Sequence, residues 1–488
     1  MMAQLQDVFK MGGVPTVTFV EPLEFPKIIL NLRTAGRALI IEGPSGIGKT
    51  TAILKAVEGL GLGHKVVPLS ARKKDDVEYI SALPETKNFG IVLIDDFHKL
   101  PNDVRGAIAD LVKILADEEA ADSKLIILGI NDAGRSLIQF APDLVNRIDV
   151  IKFENSTDAK VLELIEKGER ELNISMNVND EIVREANGGF YIAQMICSEI
   201  CLRESVLETC FSHRMLAVSF EGVKFSIWKR LSSRFYDVCK TFALGARYRP
   251  EGRAPYLHLL NWLSTSGDWV INIPDILRAN PDMRLSVGQV VEKGYLEDLF
   301  KKNENIGTVL HFDGHYITVE DPQFIFYLRN MPWSRFANEL GFKNIEFKNK
   351  YDFALSFAGT ERALAEGIFE KLSDEEFSVF YDLNEQHRII ASNVEEYLEP
   401  IYQSEASFVI CILSKDYPLR IWTTFEANSF KKRIELGEVI PILTGDAQID
   451  VFSSLSKIGH IRLDLQDNLD IQISKIIPIL KAKIHVAE

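Results

Sequence analysis

Eight consecutive residues, Gly43-Pro44-Ser45-Gly46-Ile47-Gly48-Lys49-Thr50, place glycines ahead of a lysine and a hydroxyl in the spacing G-x-x-x-x-G-K-[ST]. Glycines in this pattern let backbone N–H groups turn inward on phosphates, and a helix opening at the lysine adds its positive end. Lys49 would then reach the β- and γ-phosphates of a nucleotide, and Thr50, followed by Thr51, would offer a hydroxyl to Mg²⁺. Forty residues on, Ile91-Val92-Leu93-Ile94 ends on Asp95 and Asp96. A buried strand closing on a carboxylate is what a phosphate loop needs for its metal, so Asp95 is the candidate Mg²⁺ ligand.

These residues need elements to hold them. Short apolar runs at 38–41, 65–69, 91–94, 125–130 and 150–153 alternate with segments of helical period, the pattern of parallel strands joined through helices. Residues 157–211 read as helical, with a turn at Asn187-Gly188-Gly189. Further on, mostly helical sequence ends in two alternating runs, 308–312 and 315–319, joined through the hairpin dipeptide Asp313-Gly314. A lysine-rich stretch at 341–350 is the best linker, and strand–helix alternation resumes after it at 353–357, 378–381, 408–413, 439–443 and 460–463. The expected division is a phosphate-loop core at 1–154, a helical lid at 155–215, a winged-helix region at 216–340, the linker, and a second α/β domain at 351–488.

Length and charge narrow the field. A chain of 488 residues with 46% hydrophobic content is a multidomain globular protein, not a disordered or fibrous one. Its net charge of −15 argues against adhesion to nucleic acid or anionic membrane as the main task. Residues 255–340 carry 7 basic against 11 acidic side chains, which suits packing better than groove docking; the basic loop with Arg247, Arg249 and Arg253 is the local exception. Five scattered cysteines form no disulfide framework, and Cys197 and Cys201, four apart, have no partners at zinc spacing. No histidines fall in H-E-x-x-H spacing. No leader pattern opens the chain and no apolar run reaches the ~20 residues a bilayer requires, so a cytoplasmic protein without membrane contact is expected.

The phosphate loop, the Asp95-Asp96 pair and Leu125-Ile-Ile-Leu-Gly-Ile-Asn131 together resemble prokaryotic signal-transduction ATPases of the STAND and AAA+ type. That resemblance implies that residues 43–51 bind ATP, that Asp96 stands where these ATPases have a glutamate polarising the attacking water, and that Asn131 reads the γ-phosphate. It implies too that Arg147 is an arginine finger reaching a neighbouring subunit. The segment Asn187-Gly-Gly-Phe-Tyr-Ile-Ala-Gln194 is similar to the family's second sensor but lacks its arginine, and Ile317-Thr-Val-Glu-Asp-Pro is similar to the winged helix that follows such cores.

The last part of the chain resembles a bacterial TIR domain, of flavodoxin-like α/β fold, through Tyr351-Asp-Phe-Ala-Leu-Ser-Phe-Ala-Gly359, Phe377-Ser-Val-Phe-Tyr-Asp382, Ala406-Ser-Phe-Val-Ile-Cys-Ile-Leu-Ser and Ile421-Trp-Thr-Thr-Phe-Glu426. The resemblance implies either protein assembly or cleavage of the nicotinamide–ribose bond of NAD⁺. Trp422 and Glu426 are four apart, so a helix would set an indole and a carboxylate on one face, where the carboxylate could stabilise an oxocarbenium-like transition state. On spacing alone, a core indole beside a solvated acid is the simpler reading. Within the resemblance, Glu426 is the catalytic glutamate and Phe357, Ala358, Gly359, Asp382 and Trp422 contact the substrate. The family's loop glycine near Ala391 is missing.

Together these readings give an α/β multidomain defence sensor that binds ATP and Mg²⁺, forms a homo-oligomer through its ATPase and TIR domains when an unknown trigger arrives, a viral protein or nucleic acid, and then hydrolyses NAD⁺. Two alternatives stand beside it: an ATP-switched TIR scaffold without enzymatic activity, and a nucleic-acid-dependent ATPase regulator.

Overall fold

A computed structural model describes the chain apart from residues 1, 44, 64–65, 130–146, 247, 249–252, 268, 343–344, 346, 348–350, 358, 376, 382–401, 403–405, 415–432, 435–436, 446–458, 464–467 and 488. It divides into two compact units, one made of Met1–Leu216, Leu231–Ala246 and His258–Arg329, the other of Ala217–Arg230, Arg247–Leu257 and Asn330–Glu488.

The first unit is built on five parallel strands: β1 (Ala38–Glu42), β2 (Val66–Ser70), β3 (Gly90–Asp95), β4 (Ser123–Gly129) and β5 (Ile148–Lys152), in the order β2-β3-β4-β1-β5. All five residues of β1 and all seven of β4 are buried. Strands covered on both faces are apolar on both, which is why Ala38–Ile41 and Leu125–Leu128 appear as hydrophobic runs, with Glu42, Ser123 and Lys124 buried at their ends. Alternate residues feed two cores. Ile40, Ile94 and Ile127 pack on one face with Ile108 and Val112 from the helix Asn102–Asp117, while Leu39, Leu93 and Ile126 meet Ile53 and Ala56 of the helix Lys49–Gly59 on the other.

Helices Asp158–Leu172, Asn179–Ala186 and Phe190–Arg203 follow. Asn187 and Gly188, at φ 45° and 77°, make the turn expected between the last two. The region also holds a short parallel pair, β6 (Ile174–Met176) and β7 (Arg214–Leu216), that the helical periodicity concealed. The hairpin through Asp313-Gly314 is present as β9 (Leu310–Phe312) and β10 (Tyr316–Val319). An additional strand, β8 (Val270–Asn272), pairs antiparallel with β10 and completes a three-stranded wing.

In the second unit, β11 (Tyr351–Phe357), β12 (Val379–Phe380), β13 (Ala406–Leu413), β14 (Val439–Thr444) and β15 (Ile461–Leu463) form an all-parallel sheet ordered β12-β11-β13-β14-β15. Phe353, Leu355, Ile410 and Ile442 join Ile368 and Leu372 of the helix Arg362–Asp374, and Ile473 and Ile476 of the helix Leu469–Ala487, in one core. The fold is therefore the mixed α/β class, with parallel sheets, that the strand–helix alternation predicts. Within 341–350, Phe342 and Ile345 are buried and Ser334 Oγ donates to the carbonyl of Phe347 at 2.8 Å.

Candidate functional site

A cavity of about 380 Å³ opens at the carboxyl ends of β1, β3 and β4, where ligands settle on parallel sheets. Its floor is Ser45 to Thr51, with Asp95, Asp96 and Gly129 beside it. Phe190, Tyr191 and Gln194 come from the lid helix, and residues between Lys10 and Pro22 close another side. The loop between β1 and the helix Lys49–Gly59 takes this path because its glycines allow it. Gly46 has φ +76°, and a Cβ there would lie 2.8 Å from Pro322 Cγ; at Gly43, φ +150°, a Cβ would lie 2.6 Å from the carbonyl oxygen of Phe153.

Lys49 is buried in this cradle, its ammonium donating to the carbonyl of Gly43 at 2.6 Å. Burial pushes its pKa down to about 8, against the pull of Asp95 and Asp96, and an arriving phosphate would favour the charged form further. Thr50 Oγ1 donates to Asp95 Oδ2 at 3.2 Å. Burial and the neighbouring Asp96 raise the pKa of Asp95. The Thr50 hydroxyl and the Asp95 carboxylate are hard oxygen donors, which suit Mg²⁺.

β2 and β3 pair in parallel with Ser70 opposite Asp95, so the residues just beyond each strand meet. Arg72 and Asp96 are those residues. Arg72 Nε donates to Asp96 Oδ2 at 2.7 Å and Nη2 to Oδ1 at 3.0 Å, while Asp96 itself sits at φ 57°. Hydrogen bonding to Asp96, outweighing burial, raises the Arg72 pKa. The same Nη2 reaches Glu320 Oε2 at 3.2 Å, just past β10 of the wing. Lys99 donates to that oxygen at 2.6 Å, and His98 Nε2 lies 2.9 Å from Oε1. Burial would raise the pKa of Glu320, but the hydrogen bonds from His98 and Lys99 hold it at about 2. Gln323 Nε2, in the helix Pro322–Arg329 that follows β10, further donates to Tyr191 Oη of the helix Phe190–Arg203 at 2.6 Å.

The phosphate-loop residues Gly43, Ser45, Gly46, Ile47, Gly48, Lys49, Thr50 and Thr51 and the pair Asp95 and Asp96 are thus brought together; Pro44 and Asn131 lie outside the described residues. Arg147 is not among the residues lining the cavity: its guanidinium binds Asp117 Oδ1 at 2.8 Å. In the second unit, Phe357 ends β11 and stacks on Tyr381 at 5.6 Å, and Gly359 opens the short helix Gly359–Glu361. Ala358, Asp382, Trp422 and Glu426 lie outside the described residues, as do Arg247 and Arg249. Sequence reasoning missed Arg72, His98, Lys99 and Glu320. Each stands next to a motif it did notice, but nothing in the spacing says that they converge.

No family model matches the chain. It is 36% identical over 118 residues to the 3' cyclic ADP-D-ribose synthase AaTIR of Aquimarina amphilecti; the matched stretch is 24% of this chain and 36% of that relative. The chain therefore spans just over a third of the length of the relative it matches. Among solved structures it is similar to the ORC2 protein of Aeropyrum pernix, at 12% identity over 70% of this chain and 99% of that one, with a TM-score of 0.36. It is also similar to the RuvB Holliday junction branch migration motor of Thermotoga maritima, at 15% identity over 61% and 89%, with a TM-score of 0.31. The architecture of the first unit stands on its own strand order and loop geometry. Among the described residues no helix is long and apolar enough to cross a membrane.

Proposed function

We propose that this protein is an ATP-binding sensor whose C-terminal TIR-like domain cleaves NAD⁺ once copies of the chain assemble. The observation that carries the reading is the 36% identity over 118 residues to a protein named as a cyclic ADP-ribose synthase, alongside four ordered motifs at 351–426. In this reading Glu426 faces the ribose, and Trp422, Phe357, Ala358, Gly359 and Asp382 shape the pocket. The bond between the nicotinamide nitrogen and ribose C1' breaks with its electrons leaving on nicotinamide, and the carboxylate stabilises the oxocarbenium-like centre. Attack by water then gives ADP-ribose and a proton; attack by a ribose hydroxyl of the same molecule gives a cyclic product.

The ATPase half supplies the control. Lys49 and the loop backbone would hold the phosphates of ATP, Thr50 and Asp95 would hold Mg²⁺, which neutralises phosphate charge, and Asp96 would orient water for hydrolysis. Asn131 and Arg147 belong to the same reading as γ-phosphate contacts, Arg147 towards a neighbouring copy. Assembly lowers the ordering cost of a pocket completed between neighbours, so a lone chain stays quiet. A cytoplasmic setting and a role in defence against an infecting agent fit an activity that drains NAD⁺.

The test is nicotinamide release by the purified full chain, with MgATP and with copies forced together through a fused dimeriser. Release from wild type and none from Glu426→Ala supports the proposal. No release from the clustered wild type leaves an ATP-switched scaffold. Chromatography of the product separates linear from cyclic ADP-ribose.

A further inference from the structure

At the edge of the cavity, whose lining includes Glu320, three potential metal ligands meet where the wing touches the core. His98 lies in the short helix Phe97–Lys99 after β3, His311 is in the middle of β9, and Glu320 follows β10. One ligand atom from each lies within 4.8 Å of the other two, and His98 Nε2 is 2.9 Å from Glu320 Oε1. The imidazole rings are 4.9 Å apart, edge to face. The Glu320 side chain is 1% exposed and that of His98 11%.

We propose that His98, His311 and Glu320 form a transition-metal site of the zinc type, which fastens the wing to the nucleotide-binding core.

Two imidazoles and one carboxylate are a donor set that suits zinc and leaves a fourth position to water. Ligand atoms about 2 Å from a common ion stand roughly 3 Å apart, so a cluster within 4.8 Å would have to draw in to hold one. His98 Nδ1 is buried and finds no hydrogen-bond partner among the described residues. The Glu320 carboxylate only accepts, so His98 Nε2 carries the proton in this pair and would release it to bind a metal.

Glu320 is already oriented as a metal-bound carboxylate is. Lys99 and Arg72 hold Oε2 and leave Oε1 facing the histidines, and such outer hydrogen bonds fix the direction of a ligand. Their two positive charges weaken the site relative to a bare carboxylate, while Asp96 on the far side of Arg72 offsets part of that. Zinc and nucleotide would then be coupled. Arg72 is shared between Glu320 and Asp96, so an ion that fixes Glu320 also fixes the arginine that holds Asp96.

The experiment is a Zn²⁺ titration of the metal-stripped full-length chain by calorimetry, without nucleotide and with Mg²⁺ in excess to occupy Asp95. One zinc per chain is expected, with affinity reduced more than about tenfold in His311→Gln and in His98→Gln. X-ray absorption at the zinc edge of the wild type needs no variant and is expected to show imidazole and oxygen scatterers only. Absence of binding, affinity unchanged in both variants, or a thiolate or all-oxygen shell would overturn the proposal.

Discussion

Arg72 holds Asp96 by both carboxylate oxygens, through Nε at 2.7 Å and Nη2 at 3.0 Å. The carboxylate that stands where a water-polarising acid is expected is therefore committed to a guanidinium, and that guanidinium also contacts Glu320 of the wing. Bidentate charge-assisted pairing of this kind is strong and geometrically specific. Arg72 thus links Asp96 at the cavity wall to Glu320 beyond β10, beside the contacts that Lys99 and His98 make with the same carboxylate.

Releasing that grip should change turnover in an informative direction. Arg72→Ala is expected to raise the rate of phosphate release from MgATP severalfold above wild type, because Asp96 becomes available, and Arg72→Ala combined with Asp96→Asn should lose the gain. A fall in the single variant to the level of Asp96→Asn would show that Arg72 positions the acid instead of occupying it.

Lys49 has a simpler role. Removing its ammonium in Lys49→Ala takes away a charge-assisted hydrogen bond worth about 1.5–3 kcal/mol to a phosphate, so ATP affinity should fall by at least about tenfold. Calorimetric titration with MgATP measures it. Unchanged affinity would place the nucleotide elsewhere.

The path of the loop can be tested through glycines. Gly46→Ala meets Pro322 at 2.8 Å and carries a positive φ as well, whereas Gly61→Ala shares a positive φ, +67°, but points into open space. The first should cost about 1–3 kcal/mol and weaken nucleotide binding; the second should cost about 1 kcal/mol and leave binding alone. Thermal melts with and without MgATP separate them. Equal effects would deny that Pro322 crowds the loop.

Thiol chemistry follows burial. Desolvation pushes Cys201 up to about 12 and raises Cys197 and Cys239 well above an ordinary thiol, while Cys210 is only half-buried. At mildly alkaline pH, alkylation followed by mass spectrometry should label Cys210 first and reach the four buried cysteines, Cys197, Cys201, Cys239 and Cys411, only on unfolding. The folded chain keeps these protons where the unfolded chain loses them. Stability should therefore fall as pH rises from about 9, the unfolded thiol value, towards 12. Rapid labelling of Cys197 in the native protein would contradict the packing of the lid.

Much of this architecture is legible in the chain because its signals are local. Ala38 to Ile41 and Leu125 to Leu128 are apolar throughout, since both faces of a parallel sheet are covered, and the strands appear close to where the runs predict them. Of the three-residue strands, β9 and β15 fall within predicted runs, but the others carry no such signal. β6, β7 and β8 exist because neighbours offer them partners, and Val270-Ile271-Asn272 is no more strand-like than many loops. The polar stretch 341–350 predicts a linker, yet Phe342 and Ile345 find buried positions that composition cannot foresee.

The amino-acid sequence by itself determined the phosphate cradle. Its glycines, lysine and threonine are contiguous, and backbone sterics with one helix start suffice to arrange them; Asp95 and Asp96 follow because a buried strand must end at the same edge. Only the tertiary structure decided that Arg72, 24 residues from Asp96 and 248 from Glu320, would bind both, and that His98 and His311 would stand against the same carboxylate. Ion pairs and ligand clusters depend on distance in space, which falls steeply with misplacement, and no periodicity along the chain encodes where a wing will come to rest.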